Sequence, residues 1–197
     1  QPTQCISYVS CHDDMMLTDR LKANKKLRAG ELQRLSKLAQ TAVLTSQGMP
    51  FLWCGEEIAR DKKGVHNSYC SPDDINAIDW SLKAANLDLF AYYQGLIAMR
   101  KAHPAFHMGD AELVRKNVHF LDAPAGVVAY QLNGEAVGDE WKSIVVILNS
   151  QLSTLNIQLP EGEYHVAVAD GKCPAAAQGL LKGSAKVAAQ SATVLYL

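Results

Sequence analysis

Ile6-Ser7-Tyr8-Val9-Ser10-Cys11-His12-Asp13-Asp14 is an apolar, β-branched and aromatic run that stops abruptly at an imidazole and two carboxylates. A run this short, bounded by polar residues, fits a fully buried parallel strand better than a helix, which needs more length. His12 and Asp13 then stand where the strand emerges. At the carboxyl ends of the strands of a (β/α)₈ barrel, such a pair is a candidate for catalysis or substrate binding. The plainer alternative is a helix cap, with Asp13 or Asp14 closing the start of the segment that follows.

Outward from this stretch, Leu32, Leu35, Leu38, Ala39, Ala42 and Val43 recur at three- and four-residue steps. That spacing predicts an amphipathic helix over 29–46 after a polar stretch from Asp19 to Arg28, with Glu31, Arg34 and Lys37 facing solvent. Gly48 ends the helix and Pro50 prevents its continuation. Phe51 to Cys54 reads as a second short strand. Strand, helix, strand is a βαβ unit, whose crossover is parallel and right-handed. Two such strands cannot close a barrel, since a complete one has eight and about 250 residues.

Residues 55–80 form a long loop, and loops this long inside compact domains are functional or disordered. Its aromatic and Asn content favours function. A second helix is expected over 85–101, with Leu89, Phe90, Tyr93, Leu96, Ile97 and Arg100 on one face and Pro104 as its stop. Short alternating runs then follow at 118–121, 127–132, 144–148, 155–159, 164–169 and 193–197. Asn133-Gly134, Pro160-Glu161-Gly162 and Asp170-Gly171 supply turn chemistry between them. These runs predict an all-β domain, an antiparallel sandwich of about eight strands. The fold class is therefore α/β plus all-β, with residues 1–104 in the first part and 105–197 in the second.

At 197 residues and 48% hydrophobic content, the chain has room for one large or two small domains. Nineteen basic side chains against twenty acidic ones leave no strong field. Neither nucleic acid nor an anionic membrane is implied as a partner, and a neutral ligand suits the balance. No stretch approaches the ~20 apolar residues of a membrane helix, and the first residues lack the basic start and apolar run of a signal peptide. The compartment stays open. Because the chain opens almost directly into a core strand, an N-terminal part of a larger protein is expected ahead of it. Cys5, Cys11, Cys54, Cys70 and Cys173 show neither C-x-x-C spacing nor an even count, which argues against a metal site or a disulfide framework. Cys5, Cys11 and Cys54 read as small hydrophobes beside strands. His66, His103, His107, His119 and His165 lack paired helical spacing, so no zinc site is expected.

Tyr8-Val9-Ser10-Cys11-His12-Asp13 resembles the motif at the seventh barrel strand of the α-amylase superfamily of glycoside hydrolases. Phe51-Leu52-Trp53-Cys54-Gly55-Glu56-Glu57, the loop Lys62 to Tyr69, and Ser71 to Trp80 are similar to type I pullulanases. The likeness is strong over the first half of the chain and one of pattern from about residue 105. It implies the C-terminal portion of a pullulanase-like α-1,6-glucan debranching enzyme: the last two βα units of a (β/α)₈ barrel followed by an antiparallel β-sandwich. The implied reaction is retaining hydrolysis of branch links in pullulan, starch or glycogen-type α-glucans, which uses two carboxyl groups flanking the bond. In the superfamily the nucleophilic Asp and the acid Glu come from the fourth and fifth strands, upstream of residue 1. The fragment alone is expected to be inactive. Its implied partners are an α-glucan polysaccharide or oligosaccharide and the missing N-terminal part of the same protein.

The resemblance also implies roles for single residues. Asp13 matches the family's third site carboxylate, which accepts hydrogen bonds from hydroxyls of the sugar at the cleavage point. A fixed carboxylate there favours an oxocarbenium-like transition state over the neutral ground state. His12 matches a histidine that binds the same sugar, the alternative being a buried structural histidine. Asp14 stands where Asn is usual, and a second carboxylate beside Asp13 raises the pKa of one of an interacting pair. Met16 and Thr18 depart from the family's Thr-Leu-Trp, while Leu17 and Asp19 keep to its pattern. Asn67 and Tyr69 match a loop bordering the cleft, where an amide meets hydroxyls and a ring meets the apolar sugar face. The alternative is a loop held by its own Asx turns. Glu56-Glu57 is not assigned as an acid/base pair, because adjacent residues on a strand point to opposite faces. An anchoring role toward Arg60 or Lys62 is expected instead. No cofactor is implied in this segment; calcium of the parent would have its ligands mostly elsewhere. Two alternatives remain. One is another debranching or branching member of the superfamily, against which the Lys63 to Tyr69 loop argues; the other is a non-catalytic α-glucan-binding or structural β-sandwich protein.

Overall fold

A computed structural model describes residues 1–23, 27–28 and 30–197. Residue 29, the expected start of the first long helix, and residues 24–26 of the polar stretch lie outside the described residues. Strands β1 (Ile6–Ser7) and β2 (Met49–Pro50) pair in parallel, Ile6 opposite Met49 and Ser7 opposite Pro50. Helices α1 (Leu17–Ala23) and α2 (Glu31–Thr45) lie in the connection, so the βαβ unit forms as the spacing predicts. The second strand lies elsewhere than expected: β2 ends at Pro50, and Phe51 to Cys54 are outside any strand. Gly48 lets the chain pass close to the first strand, since a Cβ there would sit 2.8 Å from the Cys5 carbonyl oxygen.

The strand faces correct one expectation. Ile6 is 59% and Tyr8 53% exposed, and Met49 and Phe51 are exposed beside them. Among the described residues this sheet has two strands and nothing covers these side chains. Cys5 and Cys54 are exposed and Cys11 half-buried, so they do not act as core hydrophobes. The segment from Leu17 to Ala23, expected as an irregular polar stretch in part, is helical.

α2 buries a face different from its leucine stripe. Leu32, Leu35 and Leu38 are half-buried, whereas Glu31, Lys37, Gln40, Thr41, Val43, Leu44 and Thr45 are buried. Glu31 and Lys37, expected in solvent, each find a partner that makes burial tolerable. The Glu31 carboxylate accepts the Arg28 N–H at 2.7 Å. The Lys37 ammonium bonds Asp88 at 2.5 Å and the Gly171 carbonyl oxygen at 2.8 Å.

Within the long loop lies a short helix, α3 (Asp73–Asn76); just after it come α4 (Ser81–Ala85) and α5 (Leu87–Ala102). α5 buries Leu89, Tyr92, Tyr93, Leu96, Met99 and Arg100, while Ile97, expected on that face, is exposed. The Arg100 guanidinium donates to the carbonyls of Leu44, Ser46 and Gly48 at 2.9, 2.6 and 2.8 Å. A cation thereby satisfies carbonyls at and beyond the end of α2, where the helix dipole is negative.

Helix α6 (Ala111–Asn117), which the apolar pattern does not reveal, is capped by Asp110 accepting from the Glu112 and Leu113 N–H groups. Strands β3 (Val118–Phe120), β4 (Val127–Asn133), β5 (Ser143–Asn149), β6 (Leu155–Val168), β7 (Leu180–Val187) and β8 (Ser191–Tyr196) form one antiparallel sheet in the order β3-β4-β5-β8-β6-β7. The domain is antiparallel as expected, but with six strands in one sheet. Residues 155–159 and 164–169 join into the single strand β6, whose register shifts between Gln158 and Glu163 where Gly162 takes φ 143°. One face, with Leu132, Ile144, Val146 and Val194, packs against Leu44 of α2 and Tyr92, Leu96 and Met99 of α5. The other, with Val127, Ala129, Val145 and Ile147, packs against Ile157, Ala185 and Val187 of the β6–β7 hairpin. Each such fully buried aliphatic side chain contributes about 1.5–3 kcal/mol. The first of these cores draws on residues before and after 104 and fixes α2 and α5 to the sheet. No described helix is long and apolar enough to cross a membrane.

Candidate functional site

Beyond β1 the chain carries exposed Tyr8 and half-buried Val9, reaches the interior at Ser10, then turns outward. His12, Asp13 and Asp14 are exposed, with His12 Nε2 3.5 Å from Asp13 Oδ1. Trp53, in the segment after β2, lies beside them with its ring centroid 6.2 Å from that of His12. The Lys62 ammonium lies 4.6 Å from the centre of the same indole and donates to Ser68 Oγ at 2.6 Å. Desolvation, with Arg60 nearby, lowers the pKa of that ammonium. An acceptor, an imidazole and an aromatic ring thus share the outlet of two parallel strands. That combination meets both hydroxyls and the apolar face of a sugar.

Asp14 adopts the left-handed conformation, φ 68°. Its carboxylate accepts from Met15 N at 2.8 Å and Arg20 Nη2 at 2.7 Å, and His66 Nε2 stands 2.9 Å away. The Met15 N–H and then Arg20 hold its pKa below the usual carboxylate value. A sugar hydroxyl at Asp14 would share oxygens already engaged. The bond to Met15 falls ahead of α1, and Asp13 takes no backbone N–H among the described residues, so neither is the helix cap of the plainer reading.

His66 brings its loop to this segment, and two further ties do the same. Buried Asp19 accepts the backbone N–H groups of Lys62 and Gly64, and Lys22 pairs with Asp61. Asn67 and Tyr69 are exposed on this tethered loop, Tyr69 at 83%. No hydrogen bond joins either of them to Asp13 among the described residues.

Glu56 and Glu57 open a 3₁₀ turn (Glu56–Ile58) and do not lie on a strand, and their partners differ from those expected. Glu56 is 2% exposed and accepts from Ser10 Oγ and from Gln40 Nε2, the latter at 2.8 Å. Burial, opposed by these two bonds, pushes its carboxyl up to about 7. Glu57 accepts the Gly55 N–H at 2.9 Å. Arg60 instead donates to the Cys54 and Asn76 carbonyls, fixing the long loop.

Ser10, Trp53 and Lys62 are the site neighbours that residue-by-residue reading missed. Trp53 carried a usable signal, an aromatic residue just beyond a strand end. Among the described residues no three His, Cys, Asp or Glu side chains converge on a metal-sized site.

An imidazole–carboxylate pair thus stands beside an indole on an α/β unit joined to an antiparallel sheet. Residues 114–172 match the family described as "Pullulanase, all-beta domain". The pullulanase of Bacillus subtilis is 34% identical over 161 residues, which are 81% of this chain and 22% of that protein. Among solved structures, pullulanase from Bacillus acidopullulyticus superposes with a TM-score of 0.94 at 36% identity, covering 98% of this chain and 24% of that one. Pullulanase of an Anoxybacillus species, complexed with maltotriose, gives 0.91 at 35% identity, covering 99% and 27%. The chain is a relative of the pullulanases, which are glycoside hydrolases, and it spans about a quarter of the length of these relatives.

Proposed function

We propose that the chain is the C-terminal portion of a pullulanase-type enzyme that hydrolyses α-1,6 branch links in α-glucans with retention. Residues 1–104 supply the last two βα units of a (β/α)₈ barrel, and residues 105–197 supply the β domain that braces them. The observation that carries this reading is the exposed His12–Asp13 pair beside Trp53 at the outlet of two parallel strands. The uncovered Ile6, Tyr8, Met49 and Phe51 are the faces against which further barrel strands and their side chains would pack. Maltotriose in the Anoxybacillus relative supports an α-glucan as ligand.

In this mechanism Asp13 accepts hydrogen bonds from hydroxyls of the sugar at the cleavage point and stabilises the positive charge that grows as the bond breaks. His12 donates to the same sugar. Asn67 and Tyr69 border the cleft, and Asp14 serves first as the anchor of their loop and second as a shared acceptor. The nucleophile and the acid come from the part of the protein ahead of residue 1.

Titration of the chain with maltotriose, followed by NMR, tests the placement. Shifts at His12, Trp53, Asn67 and Tyr69 that weaken in Asp13→Asn are expected. Shifts confined to residues 105–197, or none at all, overturn it, the first in favour of a glucan-binding β domain.

A further inference from the structure

The Glu56 carboxyl is buried between three elements and touches none of the groups that face the sugar site. It bridges Ser10 at the end of the β1 segment, Gln40 on α2 and the turn after β2. Ser10 is the last buried residue before the chain turns out to His12 and Asp13. A neutral carboxyl has one O–H to donate, which the Ser10 hydroxyl can accept while the other carboxyl oxygen still accepts from Gln40, so the bridge persists in either protonation state.

We propose that Glu56 is a positioning residue for His12 and Asp13, acting through Ser10. This rests on the reading of His12 and Asp13 as the sugar site but makes a claim of its own about the residues beneath it. With the carboxyl neutral, Ser10 is held in the interior. When the proton leaves, a charge stands under the outlet loop. The ionisable groups facing Glu56 are Glu57 from its own turn and Tyr93 from α5. Glu57 and burial both favour the neutral carboxyl. Burial also keeps the Tyr93 phenol protonated, so it remains a hydrogen-bonding hydroxyl throughout. From α2 the carboxyl meets only the uncharged Gln40 amide among the described residues.

The test is NMR titration of the chain between about pH 5 and 9, with labelled glutamate carboxyl carbons and backbone and side-chain amides. Expected is a Glu56 carboxyl midpoint near 7, followed with the same midpoint by the Gln40 side-chain amide and the backbone amides of Cys11, His12 and Asp13. In Glu56→Gln the shared component vanishes. In Ser10→Ala the Gln40 amide still follows Glu56 but the outlet amides do not, which a merely structural role for Glu56 would not produce. Outlet amides that move identically in the parent and in both variants overturn the proposal. So does a Glu56 carboxyl that stays ionised across the range. Should Glu56→Gln fail to fold, Ser10→Ala decides alone. Maltotriose binding read in the same samples separates the two claims: coupled titration without sugar binding rejects the functional reading and retains the Glu56 linkage.

Discussion

Asp19 accepts the Lys62 backbone N–H at 2.7 Å across forty-three positions of sequence, and its second oxygen accepts the Gly64 N–H at 2.8 Å. One buried carboxylate thus fixes the loop that carries Lys62, Asn67 and Tyr69. Asp19→Asn retains one acceptor and loses the charge. A hydrogen bond to a charged group contributes about 1.5–3 kcal/mol, and a loss of that size is expected in chemical denaturation. Faster amide exchange over residues 61–69 should accompany it. An unchanged midpoint would show that the loop is held by its other ties.

In the proposed intact debranching enzyme, Asp13→Asn should lower kcat far more than it raises KM. With about 1.5–3 kcal/mol at stake and about 1.36 kcal/mol per factor of ten, the expected loss is ~10–100-fold. Because Asp13 is exposed and supports no helix N-terminus, the melting temperature should not move. An active, equally stable variant sinks the assignment.

The chain alone, residues 1–197, should release no reducing sugar from pullulan, since the mechanism draws its nucleophile and acid from elsewhere. Release that disappears in Asp13→Asn would contradict this.

Glu56 makes stability depend on pH in a defined direction. Its carboxyl titrates near 7 in the folded chain against 4.5 unfolded, so the folded state binds the extra proton between these values. The stability this confers is fully present below about 4.5 and is lost as pH rises through about 7. At about 1.36 kcal/mol per pH unit the loss amounts to at most about 3 kcal/mol. Glu56→Gln should flatten the urea midpoint between about pH 5 and 8. A slope as steep in the variant as in the parent assigns the dependence to another group.

Much of this architecture was legible because short-range patterns dominate it. The three- and four-residue spacing of Leu32, Leu35 and Leu38 located α2, and alternation located β3, β4, β5 and β8. What stayed hidden depends on partners far away in sequence. Lys37 is buried because Asp88 and Gly171 come to meet it, and nothing local to α2 says so. β7 reads Leu180-Leu181-Lys182-Gly183-Ser184-Ala185-Lys186-Val187, with Val187 its one β-branched residue, and pairs because β6 offers its edge. At the site, His12 and Asp13 were legible as a chemical discontinuity at a strand end. The engagement of Asp14 by Arg20 and His66, and of Glu56 by Ser10 and Gln40, needed three dimensions.

Asp14 stands at φ 68°, where most side chains cost about 1–2 kcal/mol and Asn, Asp and Gly are the tolerated exceptions. Asn and Asp codons differ by a single base. A lineage can therefore exchange a neutral amide for a carboxylate here without passing through a strained intermediate. The turn acts as an evolutionary filter that excludes bulk and leaves charge as the property open to selection beside Asp13.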